Sequence, residues 1–149
     1  MTWAAEGKGS NHGAYRNGGV LMSGREWRYA GAVFLGVFFD AIFFWKFQPY
    51  ATRERGPDLL AWYFLPILTF VAGLLLTIAL EGKKRRIPVA MLAGFSAANA
   101  CLIVADCSVD PTNHNLWPFE FVMIAAATAP AFVGAGISVL IDRARKREN

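Results

Sequence analysis

The chain has 149 residues, of which 55% are hydrophobic and 17% charged, with a mean hydropathy of +0.34. A soluble domain carries about a quarter charged residues, and a soluble helix needs a polar face. The long uncharged runs in this sequence are apolar on every side, which excludes a soluble helical domain. The net charge of +4 would suit nucleic acid, but the basic residues are sorted by the side of a membrane, so we expect no nucleic-acid partner.

Four stretches of the sequence predict membrane-spanning helices, at about 29–50, 58–80, 87–107 and 117–141. The last three contain charge-free runs close to the roughly 20 residues that cross a hydrocarbon core. The first contains Asp40 and Lys46 but is otherwise strongly apolar and rich in Phe. We therefore predict an all-α integral membrane four-helix bundle with three parts: a Gly-rich tail over 1–28, a helical domain over 29–143 and a basic tail over 144–149.

Basic residues are distributed unevenly among the segments that flank these spans. Four Lys or Arg precede the first span, four lie in the second loop and four in the C-terminal tail, but the third loop has none. Because Lys and Arg accumulate on the cytoplasmic side, we expect an antiparallel up-down-up-down bundle with both termini in the cytoplasm. The localisation that fits is a cell membrane, such as the bacterial inner membrane. The loop quartet that we expect to contact anionic lipid comprises Lys83, Lys84, Arg85 and Arg86.

Small residues recur every four positions on the third and fourth predicted helices. On the third helix they are Ala90, Gly94 and Ala98; the fourth carries two such rows, at Ala126, Pro130, Gly134 and Ser138 and at Ala127, Ala131 and Ala135. Such rows let helix backbones approach closely within a membrane. Because the loop that joins these two helices is short, we predict that they pack against each other.

Asp40 lies near the middle of the first predicted span, where a carboxylate costs a few kcal/mol on insertion scales. It must therefore face protein, water or a partner. Among the polar residues at a similar depth we select Asn99 and Thr128, and we predict an intramembrane polar cluster of Asp40, Asn99 and Thr128. Two interpretations stay open: a polar pin that fixes helix packing or docks a subunit, and a relay for protons or cations.

The third loop, residues 106–120, is the densest polar segment, and its acidic residues and histidine are Asp106, Asp110, His114 and Glu120. Carboxylates with one imidazole suit a divalent metal such as zinc, manganese or iron. The same loop could also be a partner-docking surface. A third interpretation is a tight turn over Asp-Pro-Thr-Asn, in which Asp110 bonds to the backbone and the other carboxylates are solvated.

Several functions can be set aside from the sequence. With only two histidines, His12 in the tail and His114 in the third loop, no bis-His haem site can form within the membrane span of one chain. Cys101 and Cys107 are about 9 Å apart along one predicted helix, too far for a disulfide. No catalytic motif is present, so we expect a non-catalytic accessory or assembly subunit of a membrane complex. Its partners would be the bilayer and other subunits or a second copy. The alternative is a proton- or cation-coupled carrier or a metal-binding membrane enzyme.

Overall fold

The computed structural model describes residues 24–45, 59–78, 82–112 and 117–148. Within these ranges the chain is helical and contains no strand. The predicted tail up to residue 23, the first span beyond residue 45 and His114 lie outside the described residues. The elements are α1 (Gly24–Phe39), a π-helical segment that continues it (Asp40–Trp45), α2 (Leu59–Thr77), α3 (Arg86–Val109) and α4 (Trp117–Glu148).

Within the described residues, three helical segments are long and apolar enough to cross a membrane: Gly24–Phe44, Arg86–Val109 and Trp117–Glu148. The corresponding apolar part of α2, Tyr63–Thr77, is shorter. Large apolar side chains face outward on all four helices, among them Phe34, Ile67, Val104, Val122 and Leu140. Such a surface is unfavourable in water. The prediction of a multi-pass, all-helical membrane protein is therefore confirmed, without the direction of the helices or the side on which the termini lie.

Two helix ends differ from the predicted bounds. Helix α1 begins at Gly24, inside the segment predicted as tail, and α4 continues through the predicted basic tail to Glu148. Glu26 lies in the first turn of α1, and Arg145, Lys146 and Arg147 lie in the last turn of α4. Charges of these signs stabilise helix termini through the macrodipole, so the charged flanks extend the helices beyond their apolar spans.

Helix α1 packs against α3 with the two backbones in contact. A Cβ atom added to Gly36 would overlap the carbonyl oxygen of Met91 and lie 2.7 Å from the amide nitrogen of Phe95. A Cβ added to Gly94 would overlap the carbonyl oxygen of Val33. Only glycine permits this approach from both sides, so α1 and α3 form one tightly packed pair.

Helix α2 packs against α4 in the same manner. A Cβ on Gly73 would overlap the carbonyl oxygen of Ala131, and a Cβ on Gly134 would overlap that of Phe70. The hydroxyl of Thr69 donates a hydrogen bond across the contact to the carbonyl oxygen of Ala127, at 2.8 Å. The second tight pair is therefore α2 with α4.

Row members Gly94, Ala131 and Gly134 lie in close helix contacts, but the prediction that the rows join α3 to α4 needs correction. Gly94 of α3 faces α1, and Gly134 of α4 faces α2. Helices α3 and α4 do touch, although less extensively than either tight pair. Two glycines outside the predicted rows decide the pairing. Gly36 lets α1 approach α3, and Gly73 lets α2 approach α4, more closely than a residue with a side chain at either position would allow.

The apolar core joins the two pairs. It comprises Ala32, Phe39, Leu65, Ile87, Met91, Phe95, Ile124 and Ala131. The ring of Phe44 packs edge-on against Phe95, with centroids 5.4 Å apart. The residues that remain between the pairs, toward the two ends of the core, are polar and form the sites described next.

Candidate functional site

Lys84 connects the turn before α3 to the last part of α4. Its side chain is 5% exposed; the ammonium group donates to the hydroxyl of Ser138 at 2.7 Å and lies 2.6 Å from a carboxylate oxygen of Asp142. Ser138 and Asp142 are four residues apart and so share a face of α4. The carboxylate neutralises the buried ammonium, which would otherwise be costly to bury.

Arg28 makes a second polar contact near the same turn. Its guanidinium donates to the carbonyl oxygen of Ile78 at 2.6 Å and to that of Leu76 at 3.3 Å. These carbonyls end α2, where a cation is favoured by the helix dipole. Gly82, in the following turn, has φ +102° and lies close to the guanidinium of Arg25. We call Arg25, Arg28, the turn 82–86 and α4 from Ser138 onward the basic end.

The position of Lys84 corrects one prediction about the loop quartet. Lys83, Arg85 and Arg86 are exposed, as a lipid contact requires, but Lys84 is buried against α4. The reason is the turn 82–86, which directs one of four consecutive side chains toward the acceptors on α4. Lys84 therefore serves helix packing and is not available to a lipid headgroup.

Asn99 and Glu120 join α3 to α4 at the other end of the interface. The amide nitrogen of Asn99 donates to a carboxylate oxygen of Glu120 at 3.1 Å. Asn99 is 1% exposed, and its amide oxygen has no hydrogen-bond partner among the described residues. Asn99 lies about 20 Å along α3 from Arg86, its first residue, so the Lys84 and Asn99 contacts with α4 are separated by much of the thickness of a hydrocarbon core.

Asp40 is 1% exposed and begins the π-helical segment at the end of α1. Such wide turns are common at functional sites, since the extra residue redirects the side chains around it. The contact of Gly36 with the Met91–Phe95 turn of α3 gives the position of Asp40 along the bundle axis. Asp40 lies one helical turn beyond Gly36, and Asn99 lies one turn beyond Phe95. The two residues are therefore at a similar level of the bundle.

Thr128, the third member of the predicted polar cluster, is fully buried. Its hydroxyl donates to the carbonyl oxygen of Ile124 in its own helix, at 2.9 Å. All three predicted members, Asp40, Asn99 and Thr128, are thus buried, but the contact that the structure shows joins Asn99 to Glu120. A direct cluster of the three stays a prediction.

The third loop forms a turn at Asp110. One carboxylate oxygen of Asp110 accepts hydrogen bonds from the backbone N–H of Thr112, at 2.9 Å, and from its hydroxyl, at 2.8 Å. These bonds, the backbone one first, hold the pKa of Asp110 below its usual value because they favour the charged form. This geometry matches the tight-turn interpretation of the loop.

Three of the four members of the predicted metal site, Asp106, Asp110 and Glu120, lie among the described residues. Among the described residues, no three His, Cys, Asp or Glu side chains come together in a group that could hold a metal ion. Asp110 bonds within its turn and Glu120 reaches Asn99, so these two carboxylates serve different contacts. His114 lies outside the described residues, and the four-residue site with Asp106 therefore stays a prediction.

No protein-family model, curated protein or solved structure matches the chain. The function must therefore be argued from this chain's own residues.

The sequence reasoning missed the contact of Lys84 with Ser138 and Asp142. A signal was present, since Ser138 belongs to a small-residue row and Asp142 follows it by one turn on the same face. A carboxylate there, after 21 uncharged residues and before a basic run, is unusual enough to suggest a buried cation. The tight-packing role of Gly36 and Gly73 had a weaker signal, since each is a glycine inside an apolar span and the first span also contains Gly31.

Proposed function

We propose that this chain is a small four-span membrane protein in which α1 to α4 alternate in direction and the basic end faces the cytoplasm. Three contacts support the alternation. Arg28 at the start of α1 bonds the end of α2, so these two helices run in opposite directions. Lys84, just before α3, bonds the last part of α4, so α3 and α4 are also opposed. Thr69 and Gly73 of α2 contact Ala127 and Ala131 of α4 in the same order along the chain, so α2 and α4 run in the same direction. The basic residues at this end support the orientation through the positive-inside rule.

Within that membrane, we infer a role as a non-catalytic accessory or assembly subunit of a larger complex. The observation that carries this proposal is the backbone contact within each helix pair, at Gly36 with Met91 and at Gly73 with Ala131. Helices in such contact leave no space between them for a substrate. The interior hydroxyls of Thr69, Thr77 and Thr128 bond to helix carbonyls, so these groups stabilise packing rather than line a passage.

The outer side of α1 supplies a surface suited to another subunit. The rings of Phe34 and Phe38 are exposed and stacked, with centroids 6.1 Å apart. Val37 and Ile42 extend the exposed apolar face of the same helical segment. Aromatic side chains give large contact areas at low entropic cost, which is why they anchor protein interfaces.

Native purification in a mild detergent, with mass spectrometry of the co-purifying proteins, tests this role. The double variant Phe34→Ala/Phe38→Ala should lower partner recovery severalfold. The matched control is Phe119→Ala/Phe132→Ala, which removes two exposed rings from α4 and should leave recovery unchanged. A wild-type chain that always purifies as a lone monomer would contradict the role.

A second candidate function is a proton- or cation-coupled carrier, and one observation favours it. Asp40 is buried in a membrane span at the level of the Asn99–Glu120 contact, and intramembrane carboxylates commonly mark ion pathways. Replacing Asp40 by Asn and Glu120 by Gln, with exposed Asp110→Asn as the control, separates the two candidates. Full complementation of a deletion strain by D40N and E120Q would remove the carrier from consideration.

A further inference from the structure

The basic end carries more exposed positive charge than the loop quartet alone suggests. Two segments meet there, the turn before α3 and the last turns of α4, because Lys84 is held 2.6 Å from Asp142. The exposed basic side chains of these two segments are Lys83, Arg85, Arg86, Arg143, Arg145, Lys146 and Arg147. The contact thus gathers on one surface two runs of charge that are far apart in sequence.

The carboxylates of this surface do not cancel its charge. Asp142, which lies in the α4 segment of this surface, is already paired with the Lys84 ammonium. Glu148, in the last turn of α4, is the other acidic residue of the two described segments. In these two segments, seven exposed cations stand against Glu148 and the already paired Asp142, which leaves a strongly positive surface.

The depth of these charges matches that of lipid headgroups. On α4 the uncharged run ends at Ile141 and the basic side chains begin at Arg143; on α3 the basic turn ends at Arg86 and the apolar run begins at Ile87. Helix α4 has 32 residues, about 48 Å at 1.5 Å per residue, against about 30 Å for a hydrocarbon core. Its basic turns therefore continue from the hydrocarbon edge through the phosphate layer.

We propose that the basic end, with its two segments joined by Lys84, Ser138 and Asp142, is a binding surface for anionic phospholipid headgroups. Anionic lipid attracts basic side chains next to a membrane span, and a guanidinium group binds two phosphate oxygens at once. The surface lies against the bilayer edge, where lipid phosphates are concentrated. The proposal goes beyond the accessory role and requires only that the bundle lies in a bilayer.

Lipid retention by the purified full-length protein in dodecyl maltoside tests the proposal. The protein is incubated with equal amounts of palmitoyl-oleoyl phosphatidylglycerol and phosphatidylcholine, separated by gel filtration, and the retained lipids are quantified by mass spectrometry. The wild type should retain phosphatidylglycerol several times better than phosphatidylcholine. This preference should fall as salt is raised, because salt screens exposed charges.

Two double variants and one matched control locate the surface. Lys146→Gln/Arg147→Gln on α4 and Lys83→Gln/Arg85→Gln before α3 should each lower the preference severalfold, toward equal retention of the two lipids. The control, Arg53→Gln/Arg55→Gln, removes the same charge from the sequence between the first two predicted spans, outside the described residues, and should leave the preference unchanged. All variants should elute as the wild type does, which shows that the bundle has folded.

Three results would overturn the proposal. One is equal retention of the two lipids by the wild type. The second is an equal loss of preference in the control variant, since that would assign the effect to net charge alone. The third is capture of a labelled RNA oligonucleotide in preference to phosphatidylglycerol, which would make the surface a nucleic-acid site. None of these results bears on partner recovery through Phe34 and Phe38, so the two proposals fail separately.

Discussion

The contacts within a helix pair differ in kind from the contacts between pairs. Within a pair the backbones touch through Gly36 and Gly94 or through Gly73 and Gly134, and the energy is van der Waals packing. Between the pairs an apolar centre is flanked by polar contacts, Lys84–Asp142 at one end and Asn99–Glu120 at the other. A contact between two backbones leaves no room for an added side-chain atom. A polar contact between side chains sets how the two pairs are aligned, and it can be removed by changing a single side-chain group.

The first prediction breaks the contact within the pairs. Gly36→Ala and Gly73→Ala should each lower the free energy of unfolding by about 3 kcal/mol, the upper part of the usual overpacking range, because each new methyl group meets backbone that cannot turn aside. Unfolding in mixed micelles, followed by circular dichroism, measures the change.

Gly136 provides the control for these variants, since an added Cβ there meets nothing within 4 Å. Gly136→Ala should leave stability unchanged or raise it by up to about 1 kcal/mol, the difference in helix propensity between the two residues. Equal destabilisation at positions 36 and 136 would show that glycine flexibility, and not close packing, matters in these helices.

The second prediction concerns the contact between the pairs at the basic end. Asp142→Asn should destabilise the bundle by about 1–2 kcal/mol, because it leaves the buried Lys84 ammonium without a countercharge. This is less than the 3–5 kcal/mol of a fully buried pair, because the side chain of Asp142 is 39% exposed. Glu148→Gln removes an exposed carboxylate from the same helix and should have no effect in the same unfolding measurement.

The third prediction concerns the opposite end of the interface. Asn99→Ala should cost about 1 kcal/mol, the value of one typical hydrogen bond, because Glu120 loses its amide donor. Ser108→Ala, which removes an exposed hydroxyl bonded within α3, should change stability much less. If the two variants have equal effects, the Asn99–Glu120 contact does not align the pairs.

The smallest effect is expected outside the helix contacts, at the Asp110 turn. The lowered pKa means that the charged carboxylate stabilises the folded turn. This contribution is present above the usual pKa of an aspartate and is lost as the pH falls through the lowered value. Carboxyl ¹³C NMR should place the Asp110 titration below that of an ordinary aspartate, and Thr112→Val should move it part of the way back. An unchanged titration in T112V would mean that the backbone N–H alone sets the shift.

The predictions made from sequence succeeded where a single segment determined the outcome. The apolar runs around Leu75, Ile103 and Val133 have no favourable place except among lipid tails, which fixed the helical, membrane-spanning class. Asp40 and Asn99 were expected to be buried, since a polar side chain inside such a run must turn inward, and both are 1% exposed.

The predictions were incomplete where two segments had to meet. The small rows at Gly94 and Gly134 were recognised as contact faces, but their partners are Val33 and Phe70. Glu120 was grouped with the loop carboxylates, although its observed partner is Asn99. Lys84 was grouped with three similar neighbours, and only its position opposite Ser138 and Asp142 separates it from them.

The sequence by itself thus determined that this chain is helical, apolar on its outside and polar at a few interior positions. The free-energy cost of placing a charge among lipid tails, or an apolar run in water, depends on the residues of that segment alone. The tertiary structure alone decided that α1 pairs with α3 and α2 with α4, and which cation turns inward. A helix that is apolar all round carries no sign of which neighbour it will touch. That choice depends on how closely two backbones can approach, and it becomes visible only when both helices are placed.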